Sequence, residues 1–347
     1  MRTLNRKALN TALPFSSRLV TARHPALAGF TSLRESRCAV LTGPGLATWA
    51  TGAAKLLGPI LFSLALLAAT PVRAQELTGL EIMEQAEDFQ RRTSDSAFNR
   101  MQLSTCRFGI KDNRITCAER PRVKSIESVG KNYGADLKDT KSIAIVLEPA
   151  AERGIGMLTY AYDDTDRDNE TWLYLSALGR VKRIASGSSE DDTEPASVFG
   201  SEFTTEDTDT GKLEEYAINI LEETTEGGRE VWKIEMIPNE ERARKSRYSR
   251  TVNYIDKERF VALRVEMYDQ YDKEIKRLLA SRVELINGAW MARSLTMMNL
   301  VTNRLSNMAI LEVNNGIEVD DEFLTQRTLT DVAFRESHLE QLRAQVD

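Results

Sequence analysis

From about Asn99 onward the sequence consists of short runs rich in Val, Ile, Tyr, Trp and Thr, with apolar residues at every second position; this period excludes most folds. In Glu230-Val231-Trp232-Lys233-Ile234-Glu235-Met236, the side chains of Trp232, Ile234 and Met236 fall on one side of an extended chain, and Lys233 and Glu235 fall on the other. Val261, Leu263, Val265 and Met267 alternate with polar residues in the same way, as do Ala309, Leu311 and Val313. Each such strand buries one face and wets the other, so several must share one core. Glu226-Gly227-Gly228, Asn287-Gly288 and Asn314-Asn315-Gly316 mark tight turns between runs, which makes antiparallel neighbours the economical topology. The predicted fold class is mainly β (α+β).

Helices are expected at the two ends of this region. Thr78 with Glu81 forms a capping box ahead of Leu80, Met83, Ala86 and Phe89, which predicts a helix over Thr78 to Arg92 with one apolar stripe. Leu329 to Val346 suits a terminal helix with Phe334, Leu339 and Leu342 on its apolar side. Two acidic stretches, Asp163 to Glu170 and Ser186 to Ala196, read as solvated loops at strand ends or rims. No internal repeat is evident, and residues 75 to 347 fit a single domain.

Ahead of that domain, Lys55 precedes the 14-residue apolar run Leu56 to Ala69 and then Pro71-Val72-Arg73-Ala74-Gln75, the charge, core and small-residue order of a secretory signal. Cleavage is predicted after Ala74. The run is shorter than the roughly 18 to 20 residues of a spanning helix and contains Gly58 and Pro59, so a permanent anchor is the weaker reading. Gln75 follows the cleavage point, where a lipidated protein would carry cysteine. Residues 1 to 54 hold seven Lys or Arg against the single acid Glu35, which suits either a start codon placed too early or an organelle transit peptide. On both readings residues 1 to 74 stay out of the fold, and the protein is expected in the periplasm, soluble and without lipid of its own.

The leader takes nine basic residues and one acidic residue out of totals of 46 and 52, which leaves 37 against 51 and a net charge near −14. Nucleic acid is an unsuitable partner for that charge. Only His24 and His338 are present, and the first lies in the leader, so no histidine cluster can bind zinc, and a Ser-His-Asp triad would depend on His338 alone, in a charged tail. Asp164, Asp166 and Asp168 resemble the start of an EF-hand, but Asn169 stands at the sixth position and Leu175 at the twelfth, so no metal is assigned. Gly154-Ile155-Gly156 lacks the third glycine of a dinucleotide loop and reads as a bend. No cofactor and no enzymatic activity are expected. Cys106 and Cys117 have ten residues between them and suit a structural disulfide in an oxidising compartment, with pairing and free thiols both open.

The most distinctive stretch is Thr171-Trp172-Leu173-Tyr174-Leu175-Ser176-Ala177-Leu178-Gly179-Arg180-Val181-Lys182-Arg183-Ile184, an aromatic strand, a turn and a basic strand. It resembles the Trp/Tyr-Leu-Pro-Ala-Leu-x-Arg-Val-Arg-Arg signature of the outer-membrane lipoprotein-sorting protein family, the LolA-like periplasmic proteins often associated with RND-type exporters. Phe199-Gly200-Ser201-Glu202-Phe203-Thr204-Thr205-Glu206-Asp207 is similar to that family's Gly-Ser-Asp-Phe-x-x-Glu-Asp element, in the same order and at a similar distance. Ser176 departs from the usual proline and Glu202 from the usual aspartate. The likeness runs from roughly Gln75 to Phe334.

The resemblance implies an antiparallel sheet curled into a half-open barrel, helices covering the opening, and an apolar cavity between them that holds acyl chains. Candidates for the inner face are Trp172, Tyr174, Trp232, Ile234, Met236 and Met267; ordinary packed core is the competing reading for each. Arg180, Lys182 and Arg183 are candidates for contact with an anionic headgroup or an acidic partner, against the plain wet face of a strand. The expected function is a carrier for a lipid, lipoprotein acyl chain or similar hydrophobic ligand. The alternative is an accessory protein docking on an RND-type transporter or envelope complex. An outer-membrane β-barrel is disfavoured by the polar wet faces and the ending Gln345-Val346-Asp347.

Overall fold

The computed structural model describes residues 76–346 apart from 92–94, 113, 135, 165, 185–195 and 209–210. The predicted leader and its cleavage point, and nearly all of the loop Ser186 to Ala196, lie outside the described residues. The strands are β1 (Ser96–Lys111), β2 (Arg114–Cys117), β3 (Arg122–Tyr133), β4 (Asp139–Glu148), β5 (Gly156–Ala161), β6 (Glu170–Leu175), β7 (Arg180–Ile184), β8 (Tyr216–Glu226), β9 (Arg229–Pro238), β10 (Arg250–Asp256), β11 (Ala262–Tyr268), β12 (Glu274–Ile286), β13 (Ala289–Asn299) and β14 (Arg304–Asn315). The helices are α1 (Gly79–Arg91), α2 (Thr205–Thr208), α3 (Glu240–Lys245), α4 (Gln326–Thr330) and α5 (Val332–Ala344). Among the described residues no helix is long and apolar enough to cross a membrane.

All fourteen strands form one antiparallel sheet in the order β7-β6-β5-β4-β3-β1-β14-β13-β12-β11-β10-β9-β8, with β2 paired to β1 off this path. The two strand ladders are joined at β1 and β14, so the sheet is not closed and β7 and β8 are its edges. A disulfide between Cys106 and Cys117 ties β1 to β2.

Because partners across an antiparallel ladder point to the same side, the register sorts the sheet into two faces. One row runs Phe98, Val129, Ile143, Leu158, Trp172, Arg183 from β1 to β7. On this face Phe98, Val129, Ile143, Ile145 and Leu158 are buried under Phe323, Leu324, Leu329, Leu339 and Leu342 from the C-terminal segment. We call it the α5 face. Asp331 caps α5 by accepting the Phe334 N–H at 3.0 Å, and Arg343 grips the buried Glu127 through two nitrogens at 3.0 and 2.6 Å. A Cβ on Gly156 would lie 2.7 Å from Ile145 and 2.8 Å from Leu329, so glycine is what lets α4 approach β5 this closely.

The opposite row runs Ile234, Asn253, Val265, Leu278, Met297 from β9 to β13, and continues through Leu295, Met308, Leu103 and Lys124 to β3. Helix α1 lies on this side, with Ile82 fully buried against Ile234 and Ile255. The predicted capping box is present: the Thr78 N–H donates to Glu81 at 2.7 Å, and the Glu81 N–H donates to the Thr78 hydroxyl at 3.2 Å. The predicted stripe is buried only in its middle: Ala86 is buried and Met83 packs on the core, whereas Leu80 and Phe89 are each 41% exposed and Ile82, outside the stripe, is fully buried. Residues three apart fall about 60° behind one another per step, so Leu80 and Phe89 end on opposite sides of the helix.

Two β-bulges alter the predicted faces. An extra residue in β14 opposite Arg100 and Met101 switches its parity, so Met308 and Ser306 share the α1 side and Leu311 is 51% exposed. An extra residue in β11 sends Leu263 to the core of Val231, Val252 and Tyr254, away from Val265 and Met267.

Candidate functional site

The α1 face carries a continuous apolar surface with partly open side chains. Leu103, Ile126, Val146, Met267 and Met297 form its buried floor, and Met101, Met157, Val265, Leu278, Leu295 and Met308 stand half-buried around them. Methionine suits such a surface, because its unbranched thioether adapts to ligands of varied shape. Neither sequence motif contains these six residues. The alternation in β11 and β13 was the only signal for Val265 and Leu295, and the bulge in β14 hid Met308.

Two elements bound this surface. Helix α1 covers the end built from β8 to β10, packing beside Trp232 and Ile218. The segment 198–208, which contains the second motif, crosses the other end and buries Val198, Phe199 and Phe203. Its polar residues are anchors. Lys124 on β3 donates to the Phe199 carbonyl at 2.5 Å. Glu202 accepts from Arg304 at 2.8 Å and Asn299 at 3.0 Å; as the longer carboxylate it reaches both strands β13 and β14. Asp207 accepts from Lys276 at 2.6 Å and from the Tyr248 hydroxyl at 2.6 Å. Glu206 accepts from the Ser246 hydroxyl at 2.5 Å and the Arg247 N–H at 2.9 Å. Burial holds the Glu206 carboxyl above its ordinary value, while those two donors pull the other way. Burial also raises the Tyr248 phenol, with Asp207 adding to the rise.

The structure divides the six aromatic and apolar candidates. Trp232, Ile234, Met236 and Met267 lie on the α1 face, and the last three are under 10% exposed, so they form its floor and not an open lining. Trp172 and Tyr174 lie on the other face and pack beside the α5 core. Tyr160 meets Trp172 edge-on at 5.0 Å and donates its hydroxyl to the Leu324 carbonyl at 2.7 Å. Arg180, Lys182 and Arg183 stand exposed on edge strand β7, with Arg183 bonded to Glu170 at 2.7 Å. His338 belongs to the α5 side, stacked on Phe323 and bonded to the Phe334 carbonyl.

The acidic stretch Asp163 to Glu170 is not simply solvated. It leads into β6, beside edge strand β7, yet Asp168 accepts from Lys245 of α3 at 3.0 Å. Lys212 donates to the carbonyls of Asp164 and Arg167. Both lysines belong to the other end of the sheet order, next to β8 and β9. Stacking of Arg167 on Tyr162 at 3.3 Å and a 2.8 Å bond from Tyr162 to Glu170 shape the loop internally.

A family model described as "uncharacterized protein"-like matches residues 138–331, more than half of the chain. No curated protein sequence is a match. The fold is similar to the crystal structure of a DUF1329 family protein from Desulfovibrio piger, at 24% identity and a TM-score of 0.61, covering 72% of this chain and 97% of that one. It is similar to a putative outer membrane lipoprotein-sorting protein domain from Vibrio parahaemolyticus, at 22% identity and a TM-score of 0.62, covering 73% and 98%. A LolA superfamily protein from Nitrosomonas europaea is also similar, at 16% identity and a TM-score of 0.51, covering 72% and 98%.

Proposed function

We propose that the chain, which belongs to the family whose model matches residues 138–331 and shares its fold with the DUF1329, lipoprotein-sorting and LolA superfamily structures, is a periplasmic carrier that holds a lipid, a lipoprotein acyl chain or a similar apolar ligand on its α1 face. The observation that carries this reading is the half-buried row of Met101, Met308, Leu295, Leu278 and Val265 between α1 and the segment 198–208. Each methylene withdrawn from water contributes about 0.8 kcal/mol, so an acyl chain crossing an aqueous compartment gains from such a surface.

A half-open barrel with the α1 face inward is the shape that accommodates these contacts. Asp168 beside β7 accepts from Lys245 beside β8, although these strands are the two ends of the sheet order. A flat sheet would hold its two edges roughly 58 Å apart at about 4.8 Å per strand. In this reading α1 and the segment 198–208 cover the opening, and α5 braces the outside. Arg180 and Lys182 at the β7 edge are suited to meet an anionic headgroup, and export depends on residues 55 to 75.

Extraction of the exported protein with organic solvent tests the proposal. A bound lipid in stoichiometric amount supports it. If no lipid is found, if palmitate does not bind, and if pull-downs return a transporter or envelope complex, the docking alternative takes its place.

A further inference from the structure

Polar contacts bring the two edges of the sheet together at one end. Asp168 and the carbonyls of Asp164 and Arg167, beside β7, are held by Lys245 and Lys212, beside β8. At the other end lie the hairpin tips, where a Cβ on Gly179 between β6 and β7, or on Gly227 or Gly228 between β8 and β9, would meet nothing within 4 Å. Between those ends no ladder joins β7 to β8 among the described residues, and the α1-face residues bordering the gap include Ile220 of β8, 37% exposed, and Lys182 and Ile184 of β7. We propose that the gap between β7 and β8 is a lateral portal for the apolar ligand, latched at one end by Lys212 and Lys245. The proposal rests on the carrier reading and adds the route by which the ligand enters and leaves.

Chemistry favours a sideways route. An acyl chain attached to a bulky polar group cannot be threaded end-on without dragging that group through an apolar space. A slit admits the chain laterally while the polar group stays in water. The latch is suited to open, because Lys245 and Asp168 are 30% and 61% exposed and their attraction is screened by water and salt. Glu241, 3.6 Å from Lys245 on the same helix, offers the lysine a second partner when Asp168 moves away.

The test uses the exported chain with N-phenyl-1-naphthylamine as the apolar probe, and follows both its equilibrium binding and its exchange rates by stopped flow. An exposed ion pair changes an equilibrium by a factor of up to about five. Lys245→Glu is therefore expected to raise association and dissociation rates together about two- to fivefold, and Lys212→Ala/Lys245→Glu about tenfold, with affinity unchanged within about twofold. The swap Asp168→Lys/Lys245→Asp is expected to return the rates toward wild type, and added salt to speed the wild type but not the double variant. Probe binding with exchange rates that none of these changes moves overturns the portal alone. Absence of probe binding by the wild type overturns the carrier reading and the portal with it.

Discussion

Lys245 Nζ lies 3.0 Å from Asp168 Oδ1, although one residue ends the helix that follows β9 and the other leads into β6, near opposite edges of the sheet. A carboxylate within an acidic loop is thus a tertiary contact. The neighbouring Asp168 carboxylate raises the Lys245 ammonium above its ordinary value, which keeps the lysine charged across the working pH range.

The firmest anchor of the segment 198–208 is Asp207, whose partner Lys276 is only 5% exposed. Asp207→Ala would leave that ammonium buried and unpaired, and is expected to cost about 3 to 5 kcal/mol. Urea unfolding checks this: the midpoint falls with little change in slope. A loss below about 1 kcal/mol would mean that water or another acid replaces the carboxylate.

Glu206 should make stability depend on pH in the opposite sense to an ordinary paired carboxylate. Its folded value is raised, so between the ordinary value of 4.5 and the folded value the native state binds more protons than the unfolded chain. Stability from this group therefore falls as pH rises through that window. Glu206→Gln is expected to lose this dependence, so its stability relative to wild type improves from acid toward neutral pH. Denaturation at several pH values checks it; a relative loss toward neutral pH contradicts it.

Opening the Cys106–Cys117 disulfide frees a short loop at the β1 to β2 hairpin. Cys106→Ser/Cys117→Ser is expected to cost about 3 kcal/mol by restoring freedom to the unfolded chain. Because β2 lies off the main strand path and β1 keeps its ladders to β3 and β14, ligand affinity should remain. Thermal unfolding and probe binding on the same sample check both halves.

The sequence was most legible where a local rule acts alone. The Thr78 and Glu81 cap, the strand alternation around Trp232 and the terminal helix near Leu339 all follow from short-range periodicity and hydrogen bonding. Legibility failed where one extra residue changes a strand's parity, as at Leu311 and Leu263, since a bulge shows only in the partner strand. It failed again for Trp172 and Tyr174: an aromatic strand reads the same whichever face it buries, and the α5 helix that covers them arrives from the far end of the chain. The likeness to the family pointed to the segment around Phe199 and Phe203. Its role as an anchored cover was hidden, because Lys124, Lys276 and Arg304 come from three distant strands.

The central claim is that the α1 face holds an apolar ligand, and mass spectrometry tests it most directly. Residues 75 to 347 would be secreted to a periplasm, purified without detergent and extracted with organic solvent beside a mock-purified control. Leu295→Lys and Met308→Lys, which charge half-buried positions of the face, would be treated identically after their folding is verified by circular dichroism. The account predicts about one lipid per wild-type protein and a loss of at least tenfold in the folded variants, since one buried unpaired charge costs several kcal/mol. A wild-type extract indistinguishable from the control, with no uptake of added palmitate, would contradict it.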